Sequence, residues 1–577
     1  MTPDSTGTFS HRQILTILSG LMLGMFLAAL DQTVVSTAIR TIADDLSGFE
    51  LQAWATTAFL ITSTISTPLY GKASDMYGRR PFYLAAIAIF VVGSMLCGMA
   101  TSMYELAAFR AVQGIGAGGL MSLALAILGD IVPPRERARY QGIFMAVFGT
   151  SSVVGPVVGG FFAGADSFLG FEGWRWIFYI NVPIGIVALI VVSRVLRLPH
   201  TRRDHRIDWP GALALIVTLV PLLTVAEQGR EWGWASALSM TAYVLSTAGL
   251  VAFLLAERAY GDDALLPLRL FGNRSFRFVT ASSLVLGAGM FGAIVLLPLY
   301  LQVVKSSTPT EAGLQMIPLM VGIIAAAMSS GIAIGRTGRY KIFPVIGSAV
   351  MVAALLMFGF VGADTPLWQT MIAMLTFGVG LGLTMQPTIL AVQNSVSPRE
   401  MGVATSSVTF FRQMGGTLGA AVFLSVLFST VADNIASATD RAAATPAYQQ
   451  VLASDAAQAR LLGDTGADAL EDSSFINRLD PVLATPFKVG FSESMNLIFL
   501  VAAGVVALGF LLLLRLPELP LRLTSGAQSM AAEDAAAQDA ATQDAATQDA
   551  AAQDTVVAGK EDTGPGRGGT VSAPAAS

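Results

Sequence analysis

Phe82-Tyr-Leu-Ala-Ala-Ile-Ala-Ile-Phe-Val-Val-Gly-Ser-Met-Leu-Cys-Gly-Met-Ala100 is a run of nineteen residues without one Asp, Glu, Lys or Arg. At 1.5 Å per residue it makes a helix of roughly 28 Å, about the apolar thickness of a bilayer. Outward from it, similar runs recur near 13–38, 52–70, 105–129, 138–164, 175–196, 209–227, 235–256, 278–303, 310–334, 343–362, 367–391, 401–431 and 489–515, fourteen spans in all. Backbone polar groups cannot stay unpaired in lipid, so such runs are helices or strands of a closed barrel. Barrel strands alternate over about ten residues, and these runs do not. The fold expected is an all-α integral membrane protein with 14 transmembrane helices.

The composition agrees. The chain has 577 residues, 54% of them hydrophobic and 13% charged, with mean hydropathy +0.64. A soluble protein carries about 25% charged residues, so a soluble enzyme, a nucleic-acid binder and a disordered scaffold are excluded. One cysteine, Cys97, cannot build a disulfide framework. Gly71-Lys72 and Gly559-Lys560 lack the glycine spacing and the following Ser or Thr of a phosphate loop, so ATP-driven transport is not expected. The three histidines, His11, His200 and His205, fall outside the spans, so no histidine relay is expected, and neither is a metal centre or a cofactor. The first run begins near Gln13 and is too long for a signal peptide.

Charge sets the orientation. Lys and Arg crowd the inner loops, against Arg40, Arg175, Arg230 and Lys305 in the short outer ones, which puts both termini in the cytoplasm of an inner or plasma membrane. The net charge of −5 hides two acidic polar pieces, −4 over 432–488 and −6 over 516–577. The first reads as an extracytoplasmic loop, with short helices around Tyr448–Leu462 and Phe475–Phe487. The second, with Asp534, Asp539, Asp544, Asp549 and Asp554 in an Ala/Gln/Thr background, reads as a disordered cytoplasmic tail.

Just before the opening run stands Gly71-Lys-Ala-Ser-Asp75-Met-Tyr-Gly78-Arg79-Arg80-Pro81. Its glycines permit a tight turn and close helix approach. Asp75 can accept from a helix N-terminus, and Arg79 can pair with Asp130 at the end of span 4. This loop resembles the signature loop of the major facilitator superfamily. The resemblance implies that Asp75 docks at the start of span 13, near Met401, as a latch released in the other conformation. Four further stretches resemble that superfamily's fourteen-helix drug:proton antiporter branch: Leu30–Arg40, with Ser36 where the branch has Asn; Arg110–Gly118; Ser151–Gly160; and Trp174–Gly185. In the third, Gly155, Pro156, Gly159 and Gly160 form the antiporter helix motif, where the glycines bring backbones together and the proline bends the helix. Phe411–Ala421 repeats that pattern in the second half, and Gly335-Arg336-Thr-Gly338-Arg339 echoes the signature loop without its acid.

The resemblance implies an N-terminal bundle of six helices (13–197), two inserted helices with linkers (198–275) and a C-terminal bundle of six (276–515), after a cytoplasmic N-terminus at 1–12. Charged residues inside the spans are few: Asp31, Arg110 and Arg412. Charge at mid-bilayer costs about 2.5–3.5 kcal/mol, so such groups line cavities and work. Asp31 and Arg110 lie at similar depth, on helices that the family fold sets around its central cavity. They are the expected proton-coupling pair, a buried static pair being the alternative. Arg412 either caps helix carbonyls or meets a ligand. Candidate cavity residues are Met25, Phe26, Gln113, Met121, Met145, Phe148, Met290, Phe291, Phe410, Phe411 and Arg412. Span 10 has no acid beyond Glu311, which argues against a specialist for organic dications. The function expected is proton-coupled export of amphipathic drugs or other small hydrophobic compounds by alternating access, by a monomeric protein that is not an enzyme. Its partners would be substrate, protons and membrane lipid. Export of an endogenous lipid, siderophore or natural product, and proton-coupled uptake, remain open alternatives.

Overall fold

The computed structural model describes residues 10–46, 51–165, 167–196, 208–454, 476 and 479–522, with isolated positions up to 543. One compact unit covers Met1–Ala527, and Gln528–Ser577 form a second. The acidic repeats of the expected tail lie outside the described residues.

Helices fill the first unit. They are α1 (His11–Asp45), α2 (Gln52–Tyr77), α3 (Arg79–Gly98), α4 (Met103–Ile131) and α5 (Pro134–Ala163), then the short α6 (Trp176–Tyr179) and α7 (Asn181–Val195). A pair follows, α8 (Trp209–Trp232) and α9 (Ala237–Tyr260). The remainder are α10 (Arg274–Leu299), α11 (Pro309–Gln315), α12 (Ile317–Thr337), α13 (Ile342–Phe358), α14 (Leu367–Ser395), α15 (Met401–Ala443), α16 (Pro446–Ser454) and α17 (Pro481–Leu514). Among the described residues the one sheet is a pair of two-residue strands at Ser167–Phe168 and Phe171–Glu172, so the molecule is in essence all-α. Some helix starts carry side-chain caps that satisfy orphan N–H groups. Ser10 and Gln13 form a capping box on α1, Thr308 and Glu311 another on α11, and Asn273 accepts from the first N–H groups of α10.

Every expected span coincides with helix, and among the described residues eleven segments are long and apolar enough to cross a bilayer. α2, α5 and α13 fall outside that count: α13 is short, Ser and Thr dilute α2, and in α5 the apolar segment counted is the shorter Gly149–Ala163.

Three boundaries differ from expectation. The loop at 71–81 is mostly helix, since α2 runs on to Tyr77 and α3 starts at Arg79. The whole turn is Gly78, whose φ of 97° suits glycine. The 432–488 piece opens and closes as helix: α15 runs to Ala443, and α17 starts at Pro481. The expected helix over Phe475–Phe487 is therefore the first turns of α17, and of Tyr448–Leu462 only the part inside α16 is described. Residues 516–522, expected as tail, are strapped to the bundle. Leu516 is buried, Leu519 N–H donates to Tyr340 Oη at 2.9 Å, and Arg522 N–H donates to Asn394 Oδ1 at 3.0 Å.

Two groups of helices emerge from the packing. α1 lies on α5 and α7, α2 and α3 lie on α4, and α3 also meets α7. In the second group α10 lies on α15 and α17, α14 on α12 and α13, and α17 on α13 and α15. The groups meet where α5 touches α12 and α14 and where α15 touches α2 and α4. α8 and α9 pack on each other, with α8 against α2 and α15, while α9 exposes Val244, Leu245, Val251, Leu254 and Leu255, an apolar face suited to lipid. The first group's apolar core is divided into one cluster around Leu27, Phe90 and Leu120 and another around Val34, Cys97 and Phe178. Between them lie polar side chains.

Candidate functional site

The face carrying the basic loops is closed by a polar latch between the groups. The α2–α3 turn sets Arg79 against two acids: Nε donates to Asp130 Oδ2 at 2.7 Å, and Nη1 lies 2.5 Å from Asp75 Oδ1. Asp75 reaches across to the N-terminus of α15, accepting from Gly402 N–H at 3.1 Å and Val403 N–H at 2.7 Å. A carboxylate there meets orphan donors and the positive end of the helix dipole. Helix packing explains Gly71: a Cβ on it would collide with Ser406 and the Gly402 carbonyl. Arg80 donates to the Ser193 carbonyl at 2.7 Å, tying α3 to α7. Asp75 lies beyond the apolar stretch of α2; burial pushes its carboxyl up to about 6, against the pull of Arg79 and Val403 N–H.

Beside the latch is a second crossing, absent from the sequence reading. Arg137, fully buried at the start of α5, donates to Gln393 Oε1 on α14 at 2.5 Å and to the Gly129 and Val132 carbonyls at 2.6 and 2.8 Å. Gln393 in turn donates to Thr405 Oγ1 at 2.9 Å. Arg135 adds a bond of 2.9 Å to the Gly335 carbonyl at the end of α12.

Deeper in the first group, Asp31 and Arg110 meet as expected, Nη1 to Oδ2 at 2.6 Å. They do not line an open cavity: Asp31 is 0% exposed and Arg110 1%. Gln113 Nε2 and Asn181 Nδ2 both donate to Asp31 Oδ1 at 2.8 Å, and Arg110 Nη1 also donates to Gln113 Oε1 at 2.7 Å. Asn181 donates further to Ser94 Oγ at 2.9 Å, and the Arg110 guanidinium lies 4.1 Å from the Phe59 ring centroid. Gln113, expected on the cavity wall, is thus spent on the carboxylate. Asn181 and Ser94 were missed as site residues. Asn181 lies inside a quoted motif, and its depth relative to Asp31 was the available signal.

Against α1, α5 packs through two of its motif glycines. A Cβ on Gly155 would strike the Thr33 side chain, and one on Gly159 would strike the Val34 carbonyl, while Gly160 has nothing near it. Thr33 Oγ1 also donates to the Ser151 carbonyl at 3.1 Å, and Pro156 sits within the helix. Of the candidate cavity residues, Phe26, Met121, Phe291, Phe411 and Arg412 are partly exposed. Met25, Met290 and Phe410 are instead buried in the apolar core. The side chains of Met145 and Phe148 lie outside the described residues. Arg412 caps no carbonyl: among the described residues no hydrogen bond or ion pair reaches its guanidinium, so the capping alternative falls away.

Comparison with known proteins converges on one family. The sequence profile described as Major Facilitator Superfamily matches residues 21–420. An uncharacterized MFS-type transporter of Mycobacterium tuberculosis is 35% identical over 508 residues, covering 88% of this chain and 70% of its own. The multidrug transporter protein MdtP of Bacillus subtilis is 37% identical over 420 residues, covering 73% of this chain and 76% of its own. In fold, the chain is similar to the proton:xylose symporter XylE bound to 6-bromo-6-deoxy-D-glucose, with a TM-score of 0.57, 16% identity, and coverage of 91% of this chain and 99% of that one.

Proposed function

The chain belongs to the major facilitator superfamily, and from that premise we propose that it exports amphipathic compounds in exchange for protons, with Asp31 as the coupling group. It is an integral membrane transporter, and its relatives include a protein named as a multidrug transporter. Export is carried over from that relative. The proton site rests on one observation: the acid deepest in the first group is wholly buried, and its partners are Arg110, Gln113 and Asn181.

A carboxylate so placed changes its proton affinity when its surroundings change. Arg110 and the two amides favour the charged form, and loss of water favours the neutral one. Rocking of α1 against α5 through the Gly155–Gly159 contact would loosen or hydrate the cluster in one state only. That coupling of affinity to conformation is what proton exchange requires. The same reading holds that fourteen helices cross a cell membrane, that the termini and the latch are cytoplasmic, and that a single copy carries out transport with no cofactor. The arrangement described is then the outward-open state, with the cytoplasmic side shut by Asp75, Arg79 and Arg137.

The test is transport of a dye and antibiotic panel in inside-out vesicles energised by a pH gradient. The native protein should accumulate substrate and release protons when substrate is added. Asp31→Asn, which mimics the protonated acid, should keep ligand binding and downhill flux but lose both uphill accumulation and proton release. Full uphill export by Asp31→Asn would move the proton site elsewhere, and flux in the opposite sense would make the protein a symporter.

A further inference from the structure

Residues 401–410 of α15 are buried without exception, while the next turn, Phe411-Arg412-Gln413-Met414, is partly exposed at all four positions. The cover over α15 thins at this level. The side chain at that level is a guanidinium without a counter-ion. It points inward. Arg412 follows Thr405 by seven residues, so the two directions differ by only about 20°, and Thr405 faces Gln393 of α14. On its flanks, Gln413 accepts from Thr67 of α2, and the Arg412 backbone abuts Gly287 of α10.

α14 and α15 are consecutive and packed together, with the five residues 396–400 between them, so they run antiparallel. Two turns back along α14 from Gln393 is Gln386; two turns forward along α15 from Thr405 is Arg412. Both steps lead about 10 Å away from the Gln393–Thr405 rung in the same direction. Gln386 is 3% exposed, and its Oε1 accepts from nothing. No acid relieves this layer: α10, α12, α13 and α14 contain no Asp or Glu, and α15 has none before Asp433. A lone cation and a lone buried acceptor at the same level, in a layer without acids, are complementary to a ligand that brings an anion and a donor together.

We propose that Arg412 and Gln386 form the anion end of the substrate site, and that the compounds it selects are amphipathic organic acids. The carboxylate takes the guanidinium fork, a neighbouring N–H or O–H donates to Gln386 Oε1, and the apolar body lies along the Phe411 turn. This rests on the exporter reading for turnover and is independent of it for binding.

Dansyl-phenylalanine is a suitable probe: it carries a carboxylate beside a sulfonamide N–H, and its methyl ester removes the charge for the addition of one methyl group. Both are titrated by fluorescence into the purified full-length protein in detergent. The acid should bind at least about tenfold more tightly than the ester, as a charge-assisted bidentate contact gives. In Arg412→Gln the preference should fall to about one, and in Gln386→Leu both ligands should weaken together, about three- to tenfold. Arg412→Lys keeps a charge for folding but not the fork, and should lose most of the acid preference. Equal binding of acid and ester by the native protein would overturn the proposal. So would an acid preference retained in Arg412→Gln, or, should that variant not fold, retained in full by Arg412→Lys. Binding in detergent needs no gradient, so an intact acid preference without gradient-driven flux would refute the exporter reading alone.

Discussion

Asp75 and Asp31 are both buried carboxylates held by an arginine, yet their remaining partners differ in one respect. Those of Asp31 all belong to the first group of helices: Arg110 and Gln113 on α4, Asn181 on α7. Asp75 spends both oxygens on α15, in the second group. Rigid-body motion of one group against the other leaves the first set of contacts together and must break the second. A buried ion pair thus answers to motion between the two bodies or only to movement of helices inside one of them, such as α1 against α5, according to where its contacts lie.

The largest effect expected from this contrast is at Asp75. Asp75→Asn weakens two charge-assisted bonds to backbone, together about 2–3 kcal/mol, which shifts a two-state equilibrium some 30- to 150-fold. Transport should fall at least about tenfold at normal expression. Distances between spin labels on the basic loops of the two groups should lengthen in that variant and stay native in Asp31→Asn. Normal turnover by Asp75→Asn would remove the latch from the cycle. Next in size, Gly155→Val puts a branched side chain onto Thr33 and should separate α1 from α5. We expect a loss of transport about as severe as a core overpacking of 1–3 kcal/mol implies, visible as reduced activity at full insertion, whereas Gly160→Ala, which meets open space, should be neutral. Arg137→Gln removes its bond to Gln393 and leaves Asp75 and Arg135 in place, so its effect on the label distances should be a fraction of that of Asp75→Asn. Smallest of all, truncation after Leu523 should leave transport within about twofold, because the strap at 516–522 keeps its bonds to Tyr340 and Asn394. Loss of folding would show that later residues carry structure.

Much of this contrast was legible in the sequence, for physical reasons. Lipid admits few backbone solutions, so uncharged runs fix helices. Asp31 and Arg110 stood out because charge in a span is costly, and their similar depth paired them. The docking of Asp75 came through a family resemblance, since no spacing links it to Met401. What stayed hidden is polar but uncharged, or remote. Asn181 reads as an ordinary helix-start residue, and Gln393 meets Arg137 across 256 positions of chain. Hydropathy also ends a span where the lipid ends, not where the helix does. The Ala-rich end of α15 is a good helix former in water, so the helix runs past its apolar window.

That overrun has a mechanical consequence. With 43 residues, α15 is about 65 Å long, roughly twice the apolar bilayer thickness. It is pinned at one end by Asp75 and braced near the other, where Arg441 meets Glu493 of α17 at 2.8 Å. A rod held at its foot is a lever: a tilt of 10° that barely stirs Gly402 carries Ala443 through roughly 11 Å. The rocking that frees one carboxylate at the basic face is written large on the opposite side of the membrane, at the tips of α15 and α17.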